Sequence, residues 1–296
     1  MSIQWFPGHM AKARRLLSEN IKLVDVVVEL RDARIPLSSA NPLLRRIVGR
    51  KPRIIVLTKS DLADPRLTQQ WLQRLEREEK ATLLAVNVKA SGVGRQLLPA
   101  IKQLAEASLP RNKATGAPLR PARTMVVGIP NVGKSSLINA LAGRAVAKTG
   151  ANPGVTRTKQ WIKLGPDVEL LDTPGLLWPR FEDEAVARRL AITGAVGTGG
   201  FDEYELASWL LGFLAAEFPE LLARWRVEET DLPGYQLLEE VGRQRGCLMS
   251  GGRVDVGRAA DIVLREFRTG KVGAVTLDPL PAADGETGQM PQEEPN

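Results

Sequence analysis

The residue types best suited to chemistry lie in one short stretch, residues 128–136, which reads GIPNVGKSS. An apolar run precedes it and a run with helical spacing follows, so the sequence predicts a strand, a glycine-rich turn and a helix. Glycines in such a turn let backbone N–H groups surround phosphate oxygens, and the helix N-terminus adds a favourable dipole. This context favours a phosphate-binding loop over a glycine-rich turn that carries a lysine by chance.

Two side chains of this loop have chemistry of their own. Lys134 can reach the β- and γ-phosphates of a nucleoside triphosphate, and the Ser135 hydroxyl can ligate Mg²⁺. The other phosphate contacts are expected from the rest of the loop and from one later glycine, namely Asn131, Val132, Gly133, Ser136 and Gly175. The stretch therefore predicts a site for a nucleoside phosphate and its Mg²⁺ ion.

A D-x-x-G pattern at residues 172–175 is the expected sensor of the γ-phosphate. Asp172 is placed to hold the hydration shell of Mg²⁺ through water, and the Gly175 N–H can contact the γ-phosphate. By itself the pattern is more typical of an ordinary turn. An upstream threonine, Thr156, is expected to give Mg²⁺ a second hydroxyl in the triphosphate state, with Thr158 and Thr149 as rival candidates.

A second polar group, TKSD at residues 58–61, ends a predicted buried strand over residues 53–57. In an open α/β sheet, ligands bind at the carboxyl ends of the strands. The Asp61 carboxylate can accept hydrogen bonds from N1–H and the 2-amino group of guanine, which adenine cannot supply, while Thr58 and the stem of Lys59 border the base. The pattern also fits a turn in which Asp61 is a helix N-cap, but the phosphate loop in the same chain favours guanine recognition.

Alternating strands and helices must position these loops. The apolar patterns predict further strands over residues 23–30, 83–88, 124–127 and 168–171, and helices over residues 11–20, 66–78, 96–107, 184–192 and 205–218. Asn87 and Val88, at the end of one strand, are candidates to back the guanine base. The alternation predicts an α/β fold with a Ras-like, doubly wound and mostly parallel sheet, followed from residue 201 by helices alone.

The last predicted helix begins at an N-cap, Asp255, and ends at Gly270. Its basic residues recur on one side, with a lysine just beyond the helix; they are Arg258, Arg265, Arg268 and Lys271. Such a stripe can lie along the phosphates of an RNA. A basic face that simply contacts solvent is the alternative.

Composition sets limits on partners and location. The chain of 296 residues has a formal net charge of +7, and because five acidic and no basic residues follow Leu277, residues 1–277 carry about +12. An anionic partner larger than one nucleotide is therefore expected, with simple solubility as the alternative.

The single Cys247 excludes a disulfide within the chain and a cysteine zinc cluster. Without a long apolar run or a signal-peptide pattern, the expected location is the cytoplasm.

The order of the motifs is unusual, because the TKSD group precedes the phosphate loop, whereas most GTPases place it last. A circular permutation explains this order without changing the sheet. Residues 109–122, which are polar, basic and proline-containing, are then the linker that joins what are elsewhere the two chain ends. The segment after Gly175 continues into the helical part, so the nucleotide state can move that part directly.

The predicted domain plan follows from this order. Residues 23–180 form the permuted GTPase domain, and residues 195–277 form the helical domain. A basic segment, residues 1–22, is expected to dock on the GTPase domain through its aromatic start. Residues 280–296 are rich in Pro, Gly and Glu with little to bury, so an acidic, disordered tail is expected.

Together these motifs resemble the circularly permuted ribosome-biogenesis GTPase A proteins (YlqF/RbgA type). The similarity extends from Trp5 to Leu277 and rests on WFPGHM, DARIP, TKSD, the phosphate loop, PGVTR, DTPG and RTGKVG, which begin at residues 5, 32, 58, 128, 153, 172 and 268. It implies a GTPase that uses GTP, GDP and Mg²⁺ and binds the large ribosomal subunit late in assembly, with the helical domain contacting ribosomal RNA. Nothing demands a dimer, so a monomer is expected. The sequence Asn87-Val88-Lys89 departs from the usual Ser-Ala-Lys of such a base-backing loop.

The resemblance also implies two roles that spacing does not show. Ras-like GTPases place a glutamine after D-x-x-G to orient water, but this position is Leu176 here, so slow intrinsic hydrolysis is expected. The resemblance points to His9, the only histidine, as the catalytic group that orients water, with a surface docking residue as the alternative. It also suggests that K⁺ is required and that Asn131 ligates it, with a neutral turn residue as the alternative.

Two other functions fit the same nucleotide-binding motifs. An ATPase or a small-molecule kinase would also need the phosphate loop, and guanine selectivity through Asp61 distinguishes them from a GTPase. A GTP-regulated module that binds another RNA, such as tRNA, would also need the basic helix. Binding to large ribosomal subunits distinguishes that module from an assembly factor.

Overall fold

The protein is described by a computed structural model that covers residues 15, 17–111, 116, 118, 120–144, 146, 161–171, 183–197 and 200–281. Within these residues the strands form one sheet, and their bounds are β1 Val26–Asp32, β2 Arg53–Thr58, β3 Thr82–Val86, β4 Ala122–Gly128, β5 Trp161–Lys163 and β6 Val168–Leu171. The strand order is β3-β2-β1-β4-β6-β5, and β5 alone runs antiparallel to its neighbour. This mostly parallel sheet confirms the predicted fold class.

Helices flank the sheet. In the described residues after β6, the named elements are all helices. Their bounds are α1 Pro42–Val48, α2 Pro65–Glu79, α3 Val93–Ala105, α4 Lys134–Ala142, α5 Glu184–Ile192, α6 Glu203–Glu217, α7 Gly234–Gln244 and α8 Val256–Thr269. Two short 3₁₀ helices cover Ser60–Leu62 and Pro219–Trp225, and residues 17–21 are also helical. None of the helices in the described ranges is long and apolar enough to cross a membrane.

Local sequence explains where these elements form. All seven residues of β1 (VVVELRD) are buried, as expected for a central parallel strand covered on both faces. Four helices begin at an aspartate whose carboxylate accepts hydrogen bonds from first-turn N–H groups, namely Asp64, Asp183, Asp202 and Asp255. Asp64 rather than Asp61 therefore caps α2, so the N-cap interpretation of Asp61 is wrong for this helix.

Two predicted boundaries need correction. The first strand begins at Val26 rather than at residue 23, because the Leu23 N–H donates to the Asn20 carbonyl (2.9 Å) and closes a turn after the preceding helical residues. The predicted linker ends before Ala122, which is the first residue of β4 and donates its N–H to the Asp167 carbonyl (2.8 Å). A local turn sets the first limit, whereas pairing with a segment distant in the chain, which local composition does not encode, sets the second.

The path of the chain brings the predicted loops to one edge of the sheet. From β1 the chain moves outward to β2 and β3, and then returns to place β4 on the other side of β1. Leu30 of β1 lies opposite Gly128 of β4, and Asp32 of β1 lies opposite Thr58 of β2. The carboxyl ends of these three strands therefore meet where the strand order reverses, which is the usual ligand position in such sheets.

One buried hydrophobic cluster continues from the sheet into the helical part. Leu30 of β1, Leu190 of α5, Leu210 of α6 and Phe267 of α8 all belong to it. Burial of such side chains contributes about 1.5–3 kcal/mol each, so the helices are held against the sheet rather than tethered beside it. The division into domains near residue 195 remains a prediction, since the core itself does not separate there.

After α8 the chain returns to the sheet as an extended strap, residues 272–281. The Val275 N–H donates to the carbonyl of Leu62 (2.9 Å), and the Leu277 N–H donates to that of Arg34 (2.7 Å). Both acceptors belong to loops at the carboxyl edge of the sheet. The strap therefore braces the edge at which the predicted site lies.

The strap corrects the sequence interpretation of the acidic end. Asp278, which the sequence groups with the acidic residues after Leu277, is buried, and its carboxylate accepts N–H bonds from Leu37 (2.7 Å) and Ser38 (2.8 Å). The expected tail also begins too early, because Leu280 packs against the hydrophobic cluster on α2 and the Pro281 carbonyl accepts a bond from Arg74 (3.0 Å). Residues 282–296 lie outside the described residues.

Candidate functional site

The predicted phosphate loop joins the end of β4 to the start of α4. Gly128 ends the strand, and a Cβ atom there would lie 2.8 Å from the Leu30 carbonyl oxygen, so no other residue fits without a shift of the backbone. Gly133 has a φ of +105°, in the left-handed region that favours glycine. Both glycines of the motif are thus required by the backbone. The glycines leave the loop without side chains at the positions where backbone must approach a phosphate closely.

The first turn of α4 can receive an anion. Its N-cap is Gly133, and no side chain caps the turn, so its N–H groups are available to phosphate oxygens. Lys134 folds over the loop, with Nζ 3.1 Å from the Gly128 carbonyl. Ser135 is half-buried and Ser136 is exposed in the same turn, so the hydroxyl predicted to bind Mg²⁺ lies at the end of the helix that faces the ligand. The residues present fit a nucleotide phosphate.

Thr58 connects the phosphate loop to the predicted base-reading loop. Its hydroxyl lies 2.6 Å from the carbonyl of Val132 and 3.1 Å from that of Arg31, and its side chain is buried. A hydroxyl has one hydrogen, so it donates to one of these carbonyls at a time. Two motifs that are 74 residues apart in the chain are therefore in direct contact, as one nucleotide site requires.

The rest of the base-reading loop presents Lys59 and Asp61. Lys59 has a left-handed backbone (φ 57°, ψ 35°) and is followed by the 3₁₀ turn Ser60–Leu62. Asp61 lies in that turn with an exposed side chain. The next loop along the sheet starts after Val86, which is paired with Thr58. The structure therefore brings the predicted guanine-binding loops to adjacent strand ends.

The predicted base-backing loop is a tight turn. The Asn87 side-chain oxygen accepts the Lys89 N–H (2.9 Å), and the Asn87 carbonyl accepts the Ala90 N–H (3.1 Å). Val88 is partly buried against the main hydrophobic cluster. The turn is thus built by its own hydrogen bonds, and Asn87 has its amide nitrogen left to offer a ligand.

Asp32, the first residue of the DARIP motif, lies at the centre of this edge. Its side chain is 1% exposed, and its carboxylate accepts bonds from Lys59 Nζ (2.8 Å) and from Arg34 Nε (2.9 Å) and Nη2 (2.7 Å). Burial alone would raise the pKa of Asp32, but the charges of Arg34 and Lys59 lower it well below its usual value. Burial also lowers the pKa of Lys59, and Asp32 opposes that change. The rule that selects residues 58–61 from the sequence would have selected Asp32 as well, because it ends the neighbouring strand.

Three side chains from different parts of the molecule converge on the C-terminal end of α5. Arg268 of α8 donates to the carbonyls of Ala191 and Ile192, both at 2.9 Å. Arg34 donates to the Thr193 carbonyl (3.3 Å), and Asn131 of the phosphate loop donates through Nδ2 to the Gly194 carbonyl (2.9 Å). The last carbonyls of a helix lack partners within the helix and carry partial negative charge, so all three contacts are favourable.

The predicted RNA-contacting residues on α8 do not share one environment. Arg258, Arg265 and Lys271 are exposed, whereas Arg268 is partly buried against α5. Burial lowers the pKa of Arg268 from its usual value, although an arginine stays charged at neutral pH. Three residues of the stripe can therefore reach a partner, while the guanidinium of Arg268 is engaged within the protein.

Several predicted site residues lie outside the described residues. They are His9, Thr156, Asp172 and Gly175, together with the alternative threonines Thr149 and Thr158 and with Leu176. Within the described residues no group of three or more His, Cys, Asp or Glu side chains could hold a metal ion. Of the predicted Mg²⁺ ligands, Ser135 lies within the described residues, and Thr156 and Asp172 lie outside them.

The comparisons with known proteins find matches over both the phosphate loop and the whole chain. A family model described as 50S ribosome-binding GTPase matches residues 123–196, which include the phosphate loop. Among curated proteins, the ribosome biogenesis GTPase A of Priestia megaterium (strain DSM 319 / IMG 1521) is 49% identical over 280 residues, which cover 94% of this chain and 97% of that protein. The similarity therefore extends over nearly the whole of both chains.

Solved structures support the same relationship. The GDP-bound structure of TM YlqF aligns with a TM-score of 0.63 at 27% identity and covers 89% of this chain and 98% of its own. The GNP-bound crystal structure of YlqF from T. maritima aligns with a TM-score of 0.61 at 28% identity, covering 90% of this chain and 97% of its own. The match spans both the sheet and the helices that follow it.

Proposed function

The chain belongs to the ribosome biogenesis GTPase A family, and from this premise we propose that it is an assembly factor for the large ribosomal subunit. It is a GTPase, and the proposal adds that it acts late in maturation of that subunit, in the cytoplasm and as a monomer. The nucleotide-binding part of the proposal is supported by the contact of Thr58 with the Val132 carbonyl (2.6 Å), because it brings the predicted base-reading and phosphate loops together. The large-subunit partner, the stage, the location and the monomeric state rest on the similarity to that family.

The residues of the site have distinct tasks in hydrolysis. Lys134 and the N–H groups at the start of α4 bind the phosphates and offset the negative charge that develops on them. Ser135, Thr156 and, through water, Asp172 would hold Mg²⁺, which would supply further neutralisation of that charge. Leu176 cannot orient water, so His9 is proposed to do so.

The proposal includes K⁺ as a second cation at the phosphates, with Asn131 as its ligand. The Asn131 side chain is exposed, and its Nδ2 donates to the Gly194 carbonyl (2.9 Å), so the amide nitrogen is engaged within the protein. The amide oxygen is the atom that can ligate K⁺. Steady-state GTP hydrolysis in K⁺ against Na⁺ buffer tests this part, and equal rates would exclude it.

Coupling of the nucleotide state to the helical part is also proposed. Support comes from the C-terminal end of α5, which Asn131 of the phosphate loop and Arg268 of α8 both contact. In the chain, α5 follows the predicted γ-phosphate sensor at residues 172–175. A change at the γ-phosphate can therefore reach α8 through one helix, and by linkage a partner bound to α8 would change nucleotide affinity.

The helical part is proposed to contact ribosomal RNA through the exposed residues Arg258, Arg265 and Lys271. All three are exposed on or just after α8, and basic side chains bind nucleic acid mainly through phosphates. Arg268 is proposed to hold α8 against α5, and it affects RNA binding only by keeping α8 in place.

The decisive experiment is steady-state GTP hydrolysis in K⁺ buffer with and without purified large ribosomal subunits. The expected result is slow hydrolysis by the protein alone and strong stimulation by the subunits. If the protein binds GTP but subunits neither stimulate it nor sediment with it, the assembly-factor proposal is wrong. Stimulation by tRNA instead would support the GTP-regulated module that binds another RNA.

A further inference from the structure

The strand β1 carries two buried carboxylates, and they lie in different surroundings. Glu29 pairs with Arg31 (2.7 Å) and Arg53 (2.8 Å) within the body of the sheet. Asp32, at the carboxyl end, pairs with Arg34 and Lys59, at 2.7 Å and 2.8 Å. Each carboxylate thus balances two cations, but only Asp32 contacts a residue of the base-reading loop.

Lys59, the residue that Asp32 contacts, has a strained backbone conformation. A non-glycine residue in the left-handed region costs about 1–2 kcal/mol, and surrounding structure must hold it there. Lys59 has that conformation, and it lies between the end of β2 and the turn that carries Asp61. The Lys59 ammonium is bound by Asp32, while the chain before it is fixed by the Thr58 hydroxyl.

Asp32 is itself fixed in place. Besides the three side-chain bonds from Arg34 and Lys59, the Arg34 N–H donates to Asp32 Oδ1 (3.1 Å), and the Asp32 N–H donates to the Ser39 hydroxyl (3.0 Å). Arg34 in turn lies over the ring of Phe267 on α8, with its guanidinium carbon 5.5 Å from the ring centroid. The carboxylate is therefore a rigid anchor that has little freedom to follow Lys59.

We propose that Asp32 is the positioning residue for guanine recognition: its carboxylate sets the Lys59 side chain and thereby the turn that presents Asp61 to the base. Asp32 acts through Lys59 and does not touch the nucleotide. The inference rests on the proposed guanine site but is independent of any ribosomal partner.

The experiment compares Asp32→Asn with Glu29→Gln, which removes a similarly buried charge from the same strand. Binding of fluorescent GDP and IDP is measured together with thermal stability, because IDP lacks the 2-amino group that Asp61 is expected to bind. Asp32→Asn should raise the Kd for GDP about tenfold and reduce the preference for GDP over IDP several-fold. Glu29→Gln should lower the melting temperature while leaving that preference unchanged.

A double-mutant cycle with Lys59→Gln tests the route of the effect. If Asp32 acts through Lys59, Asp32→Asn should cause no further loss of GDP affinity in the Lys59→Gln background. If Asp32→Asn does not fold, Asp32→Glu keeps the charge, displaces the carboxylate by one methylene, and should also reduce the preference for GDP over IDP.

Two results would overturn the inference. One is an Asp32 variant that is folded and keeps the wild-type preference for GDP over IDP, and the other is a Glu29→Gln variant that loses it equally. The proposed function has a separate test: absence of subunit-stimulated hydrolysis would overturn it. A changed preference for GDP over IDP in the Asp32 variant would still support this inference in that case.

Discussion

The exposed carboxylate of Asp61 and the capping carboxylate of Asp64 have different tasks three residues apart. Asp64 accepts the Leu67 N–H (2.7 Å) and is thereby committed to α2. Asp61 lies in the preceding 3₁₀ turn with its side chain in solvent. An aspartate at the carboxyl end of a central strand, with no side-chain hydrogen bond to another residue in the described part of the chain, is available to recognise a ligand.

Substituting Asp61 tests its role in recognising the base. In Asp61→Asn, the amide can accept one of the two guanine donors but loses the charge, so affinity for GDP should fall about 100-fold. The same amide can donate to the 2-oxo group of xanthine, so affinity for XDP should rise. Competition binding with GDP, XDP and ADP measures both changes. If the Asp61→Asn variant binds GDP as tightly as the wild type, Asp61 does not recognise the base.

His9→Ala tests the catalytic residue implied by the family resemblance. If the imidazole orients the attacking water, subunit-stimulated hydrolysis should fall about 100-fold or more, while GTP affinity should change little. Single-turnover hydrolysis with excess large subunits measures the rate, and fluorescent GTP analogue binding is the control. Unchanged stimulated hydrolysis would assign His9 a docking role instead.

The elements with strong apolar patterns were predictable from the sequence, and the contacts between them were not. Val-rich β1 and the turn at residues 128–136 follow from local composition. The contact of Asp32 with Lys59 and the inward direction of Arg268 follow instead from how distant elements pack, since Lys59 meets Asp32 only when β1 and β2 pair. Helical spacing placed Arg268 on the basic stripe but could not show that α5 would cover it.

The end of α5 leads to a prediction about coupling. Arg268→Gln removes the charge-assisted bonds to the Ala191 and Ile192 carbonyls, and so loosens the helix that follows the predicted γ-phosphate sensor. The preference for a GTP analogue over GDP should fall about fivefold, which is within the usual range of coupling between sites. Fluorescence titration of both nucleotides on the free protein measures this ratio.

The control for coupling is Arg265→Gln, which changes an exposed arginine of the same helix that has no described contact with α5. It should leave the nucleotide preference unchanged. Thermal unfolding of both variants separates coupling from a general loss of stability. A protein that is only destabilised would lose affinity for the GTP analogue and for GDP by the same factor. A folded Arg268→Gln variant with the wild-type ratio would show that α5 does not transmit the nucleotide state.

Across the whole molecule, most of the chain is basic. Because Asp278 is buried within the fold, its charge counts with the residues before it, and residues 1–278 carry about +11. The excess positive charge draws the protein to any polyanion, but only exposed groups can replace counterions on RNA phosphates. The salt dependence of binding therefore reports which basic residues face the partner.

Simultaneous change of Arg258, Arg265 and Lys271 to glutamine should weaken binding to large subunits and reduce its salt dependence. Each phosphate contact contributes about 0.7–0.9 to the slope of log affinity against log salt, so loss of three should lower that slope by about two to three. Sedimentation binding at several KCl concentrations measures it. The matched control changes three exposed basic residues on or beside α2, Arg66, Arg77 and Lys80. If both triple variants lower the slope equally, the attraction is a property of net charge, and α8 is not the RNA-binding surface.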